Sequence, residues 1–208
     1  MTVFKPFASL LALLCALHLP SAMAARSLVV WVYPHDELAD ISNEQLNKDY
    51  FEHWIEEMRL ISNHPIEVIF QRNVPGITDI DYSAMSGTEI LALFTQEASY
   101  RPESNPASLL KKHMLFTKEP YDKNGLNYNG GLAYFKQSTA IASLATFAAP
   151  AHELGHMFSA THEDAQVNFN GWFCETYTHP RVPLRSNCYR YSDKNRQNIS
   201  DYINANAH

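Results

Sequence analysis

His152, Glu153 and His156 stand in the run His152-Glu153-Leu154-Gly155-His156, and another histidine, His162, follows six residues later. On a helix, residues four apart share a face, so His152 and His156 can aim one imidazole nitrogen each at a single metal ion. Glu153 is rotated about a third of a turn from that face. From its edge the carboxylate can touch a water at an open coordination position without being a ligand itself. His162 lies too far along to share the face, so the chain must leave the helix after His156 and turn back. Three protein ligands and one open position describe a catalytic zinc site, whereas structural sites are closed by four ligands. One Zn2+ is therefore the expected cofactor, with Glu153 as the catalytic carboxylate.

The whole segment, H-E-L-G-H-M-F-S-A-T-H, resembles the signature H-E-x-x-H-x-x-G-x-x-H of the metzincin zinc peptidases. The H-E-x-x-H half alone recurs in ordinary solvent-facing helices, and the third histidine is what carries the resemblance. Two positions depart from it. Ser159 stands where the family has a glycine on which the chain turns, and serine tolerates positive φ poorly. No methionine follows Met157, whereas the family places one on a turn beneath the zinc. Two segments are candidates for that floor. Cys174-Glu175-Thr176-Tyr177-Thr178 precedes a last helical pattern that opens at Tyr191-Ser192, an order that resembles the reprolysin-like branch with its Cys-x-Met turn. In that register Thr176 replaces the methionine. Asn187-Cys188-Tyr189-Arg190-Tyr191 is the second candidate. Some metzincins also carry a tyrosine past the turn that reaches the zinc or the transition state, a role open here to Tyr177, Tyr189 or Tyr191. Packing is the other reading of each.

The resemblance implies an exported zinc-dependent endopeptidase, with a peptide or protein as substrate. His152, His156 and His162 would hold the metal, and Glu153 would take a proton from a zinc-bound water and deliver it to the leaving amine. Two alternatives stand beside this reading. In a gluzincin-type hydrolase the third ligand would be a downstream glutamate, here Glu175. A non-catalytic exported module that binds zinc would explain Ser159 and the missing methionine, but would have no need of Glu153. Asp164 orients the lower loop or is a solvated acid.

The start of the chain reads as a signal peptide over residues 1–24. Lys5 precedes an apolar run from Phe7 to Leu19, and Ala22-Met23-Ala24 has the small-x-small pattern of a cleavage site. The run is too short for a membrane span, so no stable span is expected after cleavage. The destination would be periplasmic or extracellular. Of the three cysteines, Cys15 falls in the leader, which leaves Cys174 and Cys188. In an oxidising compartment such a pair reads as one disulfide. A net charge of −6, a pI near 5.9 and the lack of a basic run exclude a nucleic-acid footprint. A monomer is the expected state.

Periodicity supplies the elements that must position the site. Leu28 to Tyr33 is a continuous apolar, β-rich run, read as a buried strand. Ser42 and Gln45 have capping-box spacing, and Leu46, Tyr50, Trp54, Met58 and Ile61 follow at helical intervals toward Asn63. Ile66 to Phe70 reads as a strand, Ser86 and Glu89 as a second cap before a helix over 88–98, and Leu110 to Lys118 as a strand. Residues 122 to 131 read as an Asn/Gly-rich loop. By the resemblance, Gly131, Leu132, Ala133 and Tyr134 form an antiparallel edge strand that can pair with an extended substrate, with an ordinary hairpin as the alternative. Thr139 to Leu144 precedes the histidine helix, where Pro150 suits the first turn. The expected class is α+β: a metzincin-like zincin with a twisted mixed sheet and two long helices above the cleft. A single domain over 25–208 would divide into an upper subdomain, to about residue 158, and a small irregular lower one ending in a helix.

Overall fold

The computed structural model describes residues 26–101, 108–125, 127–169, 171–182 and 184–207, so the expected signal peptide lies outside the described residues. The first strand, β1 (Leu28–Pro34), is buried along its whole length. Side chains alternate across a strand, so a strand buried on both faces needs an unbroken apolar run. Leu28, Val30 and Val32 face one apolar cluster with Trp54, Met58 and Leu154. Val29, Trp31 and Tyr33 face a second, with Ile90, Leu91 and Phe94.

Two helices, α1 (Asn43–Tyr50) and α2 (Glu52–Ile61), replace the single long helix expected here. Phe51 leaves helical geometry between them, at φ −121° and ψ −25°. Its buried ring is held edge-on by Phe70 and Phe116, each with centroids 5.8 Å away. The capping box at Ser42 is half made: Ser42 Oγ accepts from the Gln45 amide at 3.1 Å, while the Gln45 side chain turns to Asp49. At Ser86 the box with Glu89 is complete, and it opens α3 (Gly87–Ser99). Between these helices runs β2 (Ile66–Phe70), and after α3 come β3 (Lys111–Thr117), β4 (Tyr121–Asn124), β5 (Asn127–Asn129), β6 (Gly131–Ala133) and β7 (Thr139–Ser143).

The main sheet has the order β2-β1-β3-β7-β6. Every pairing is parallel except that of β6 with β7. The sheet is thus mixed, as expected, but mostly parallel and with helices on both faces, where an α+β arrangement was expected. Parallel neighbours cannot be joined by a tight turn: helices make the connections from β1 to β2 and from β2 to β3, while the β4–β5 hairpin and β6 lie between β3 and β7. Helices α1 and α2 pack on one face and α3 on the other. Residues 122–131, read as a loop, form the antiparallel β4–β5 hairpin and the start of β6.

The histidine helix, α4 (Ala149–Met157), packs on the face of α1 and α2, with Pro150 in its first turn. Beyond it lies a small sheet of β8 (Val167–Phe169), β9 (Phe173–Glu175) and β10 (Ser186–Asn187), then α5 (Asp193–Asn206). A disulfide joins Cys174 to Cys188, whose Cα atoms are 5.0 Å apart. Helix α5 is locked to α2 by Arg196, whose Nε and Nη2 reach the two carboxylate oxygens of Glu57 at 2.8 and 2.6 Å. No helix among the described residues is long and apolar enough to cross a membrane.

Candidate metal centre

On α4, His152 and His156 present Nε2 to the same point, as their spacing requires. His162 Nε2 lies 2.9 Å from each. What aims the two helix imidazoles is their other nitrogen. His152 Nδ1 is 2.7 Å from the Tyr177 carbonyl, and His156 Nδ1 is 2.9 Å from the Ala160 carbonyl. A carbonyl only accepts, so each Nδ1 carries the proton and each Nε2 keeps its lone pair. Burial pushes His152 down to about 3, aided by the neighbouring histidines, and burial also lowers His156. Both are therefore neutral at ordinary pH, the state a metal ligand requires. Neutral imidazoles with lone pairs aimed at one point repel unless a cation or proton lies between them. His152, His156 and His162 fit a single catalytic zinc ion.

The turn that brings His162 back is a Schellman cap. The Ala160 amide donates to Gly155 O at 2.8 Å and the Ser159 amide to His156 O at 3.2 Å. Ser159 occupies its left-handed position at φ 83°, where glycine would carry no Cβ penalty. The serine thus makes the same turn as glycine, under strain.

Glu153 is buried beside the triad, and burial pushes its carboxyl up to about 8. A divalent cation nearby would oppose that shift. Across from it is Gly131, the first residue of β6. A Cβ on Gly131 would lie 2.6 Å from Glu153 Cγ and 2.7 Å from Oε1, so any larger residue there would have to displace the Glu153 side chain. Leu132 and Ala133 continue β6 at the sheet edge, and Tyr134 follows just beyond it. A cavity of about 460 Å3 opens here, lined by His152, Glu153, Gly131, Tyr128, His179 and Arg181 among others.

The expected floor is redistributed. Thr176 is buried, but its Oγ1 accepts from the Gln166 amide at 2.9 Å and donates to Gln166 O at 3.1 Å, which turns it away from the histidines. Thr178 and Tyr191 take the place beneath α4: a Cβ on Gly155 would meet Tyr191 Cε1 at 2.7 Å and Thr178 Cγ2 at 3.0 Å. The two candidate floor segments therefore both contribute. Their shared disulfide and the bond from the Cys188 amide to Glu175 O, 2.8 Å, hold them side by side. Tyr191 Oη donates to Ala151 O at 2.6 Å and accepts from Trp54 Nε1 at 3.1 Å. Tyr177 packs against Tyr191 and Tyr189 against His53, so all three tyrosines are engaged in packing.

Glu175 lies in the same cavity but outside the histidine convergence. Its carboxylate accepts from the Val182 amide at 3.0 Å and faces Arg185 at 3.5 Å. Asp164 accepts from Asn198 on α5 at 2.8 Å and so ties the lower loop. Sequence reasoning missed Asn195. Buried in the first turn of α5, it exchanges bonds of 2.8 and 2.9 Å with the backbone of Thr161 and donates to Thr178 Oγ1 at 2.8 Å. Thr161 precedes His162, and Thr178 follows the residue that aims His152, so one side chain braces two of the three histidines. Lys112 was missed too. Its Nζ reaches the Met157 and Gln137 carbonyls, both at 2.9 Å, and holds the C-terminal end of α4.

No protein-family model and no curated protein sequence matches the chain. Solved structures do share its fold. Metalloproteinase-II from Bacteroides fragilis superposes with a TM-score of 0.60 at 15% identity, over 88% of this chain and 55% of that one. The chain thus spans about half the length of that protein. Archaemetzincin from Methanopyrus kandleri superposes with a TM-score of 0.51 at 14% identity, over 86% of this chain and 96% of that one. The chain has a metallopeptidase fold.

Proposed function

We propose that the chain is an exported zinc-dependent endopeptidase of metzincin type, with His152, His156 and His162 as metal ligands and Glu153 as the catalytic acid–base. The observation that carries this reading is the placement of a buried carboxylate beside three convergent histidine nitrogens, in a cavity bounded by an antiparallel edge strand. When bound, zinc would supply a Lewis acid that polarises the scissile carbonyl and acidifies a water. Glu153 accepts the proton of the attacking water and hands it to the leaving amine. Gly131 to Ala133, with Tyr134 beyond, offer backbone groups along which an extended peptide can pair as an added strand. The order of third histidine, floor and terminal helix supports the reprolysin-like branch. The Cys174–Cys188 disulfide supports an oxidising destination, in keeping with a leader over residues 1–24.

The test is a peptide-library cleavage profile with zinc measured on the same sample, before and after chelation. Cleavage that vanishes with the metal and returns with zinc is expected. In parallel, His162→Ala should lose zinc and Glu175→Ala should keep it, and the reverse result would establish Glu175 as the ligand.

A further inference from the structure

The cavity beside the metal centre carries a charge that the hydrolytic chemistry does not use. Besides tyrosines, its ionisable lining residues are His152, Glu153, Glu175, His179 and Arg181. The first two belong to the metal site. Glu175 is buried and already engaged: its carboxylate accepts from the Val182 amide at 3.0 Å and pairs with Arg185 at 3.5 Å. His179 Nδ1 lies 3.8 Å from the same carboxylate and closer, 2.7 Å, to the Pro180 carbonyl. Arg181 differs from all of these. It is exposed, and among the described residues it has no ion pair. Its Nη1 donates to the Arg185 carbonyl at 3.3 Å. A guanidinium carries five N–H donors, and that bond uses one of them.

Strand β6 indicates which part of a substrate would reach that arginine. Antiparallel pairing is the more stable of the two senses in which a peptide can add to an edge. A peptide antiparallel to β6 runs its C-terminal half toward Gly131, where β6 begins. From there it passes Asn129 and Tyr128 and enters the cavity. Resting on the peptidase reading, we propose that Arg181 receives a carboxylate of the peptide on the C-terminal side of the cleaved bond. Two groups supply that chemistry, an acidic side chain or the peptide's own terminal carboxylate. Either can take two parallel bonds from a guanidinium fork. Asn127 and Asn187, in the same lining, add amide groups and no charge. A lysine side chain entering here would meet Arg181 as a like charge, and Glu175 would give it little help because Arg185 already neutralises it.

The test is a set of peptides cut at one bond and varied only on its C-terminal side. One arm places Glu, Gln or Lys at each of the first few positions past the bond, with the C-terminus amidated. The other keeps neutral residues there and ends in a free carboxylate or an amide. In at least one arm kcat/KM should favour the carboxylate about tenfold over its neutral counterpart, the size of one charge-assisted pair at a solvated site. The arm that shows it identifies the source. Arg181→Gln should abolish the preference, Arg181→Glu should turn it toward Lys, and Arg181→Lys should keep part of it. Zinc content and the thermal midpoint of these variants should match the wild type, so that a folding defect is not mistaken for lost recognition. Calorimetry of the same peptides with Glu153→Gln reads binding without turnover. It should show the same preference, lost when Arg181→Gln is added. Cleavage with no carboxylate preference in either arm, or a preference that survives Arg181→Gln, would overturn the inference and leave the peptidase reading standing. Carboxylate-dependent binding by a protein that cuts no peptide would overturn the peptidase reading instead. Binding to Glu153→Gln that is indifferent to carboxylates would also overturn the inference.

Discussion

Gly131 and Glu153 are packed against each other beside the cavity: a methyl group on Gly131 would lie 2.7 Å from Glu153 Oε1. The first residue of the edge strand thus sets where the carboxylate of the histidine helix can rest. Gly131→Ala should push that carboxylate off its position while leaving the three histidines alone. A displacement of about 1 Å can cost about 10²-fold in rate. We therefore expect kcat to fall by that order with zinc content unchanged, as read from steady-state kinetics and metal analysis of one preparation. Unchanged kcat would show that Glu153 yields freely.

Ser159 holds a left-handed conformation at φ 83° in the turn between His156 and His162. That geometry costs an L-residue about 1–2 kcal/mol, and glycine recovers it less about 0.5–1 kcal/mol of backbone entropy. Ser159→Gly should thus stabilise the protein by about 0.5–1 kcal/mol, raising the thermal midpoint by about 1–4 °C. Calorimetry of the two proteins with zinc bound checks this. A lower midpoint in the glycine variant would mean that the serine hydroxyl contributes more than its backbone strain costs.

Asn195 braces Thr161 and Thr178, and through them the backbone that positions His162 and His152. Groups that orient ligands typically carry about 10–100-fold of metal affinity. Asn195→Ala should weaken zinc binding by that factor in a chelator competition. It should also speed zinc release while α5, capped by Ser192, stays helical. Affinity equal to wild type would limit Asn195 to a packing role.

Lys112 is pulled down to about 7 by burial, against an unfolded value of about 10.4. Its carbonyl acceptors, together with the Phe158 and Tyr202 rings, oppose part of that shift. Between the two values the unfolded chain binds a proton that the folded chain does not, so this group makes stability rise with pH across that window. Urea unfolding at neutral and alkaline pH should show the rise in wild type and a smaller one in Lys112→Met. Equal pH dependence in both proteins would contradict it.

Much of the site was legible because its signal is local. His152, Glu153 and His156 are fixed relative to each other by one helical turn, and His162 follows by a short return. The buried strand at Leu28 and the cap at Ser86 were readable for the same reason, since period and capping act within a few residues. What failed depends on distant partners. The break at Phe51 has no glycine or proline to announce it, and the rings that hold it come from Phe70 and Phe116. Asn195 looks like an ordinary polar residue after a serine cap until Thr161 and Thr178 are brought to it. The floor went to Thr178 and Tyr191 instead of Thr176, because backbone bonds to Gln166 had already claimed the threonine hydroxyl.

The most direct test of the account is Glu153→Gln, with hydrolysis and zinc measured on the same sample. Glutamine keeps the shape beside Gly131 but cannot accept the proton of the attacking water. The account predicts about one zinc per chain, as in wild type, with peptide hydrolysis lower by about 10²- to 10⁴-fold. Cleavage at near wild-type rate with zinc retained would contradict it.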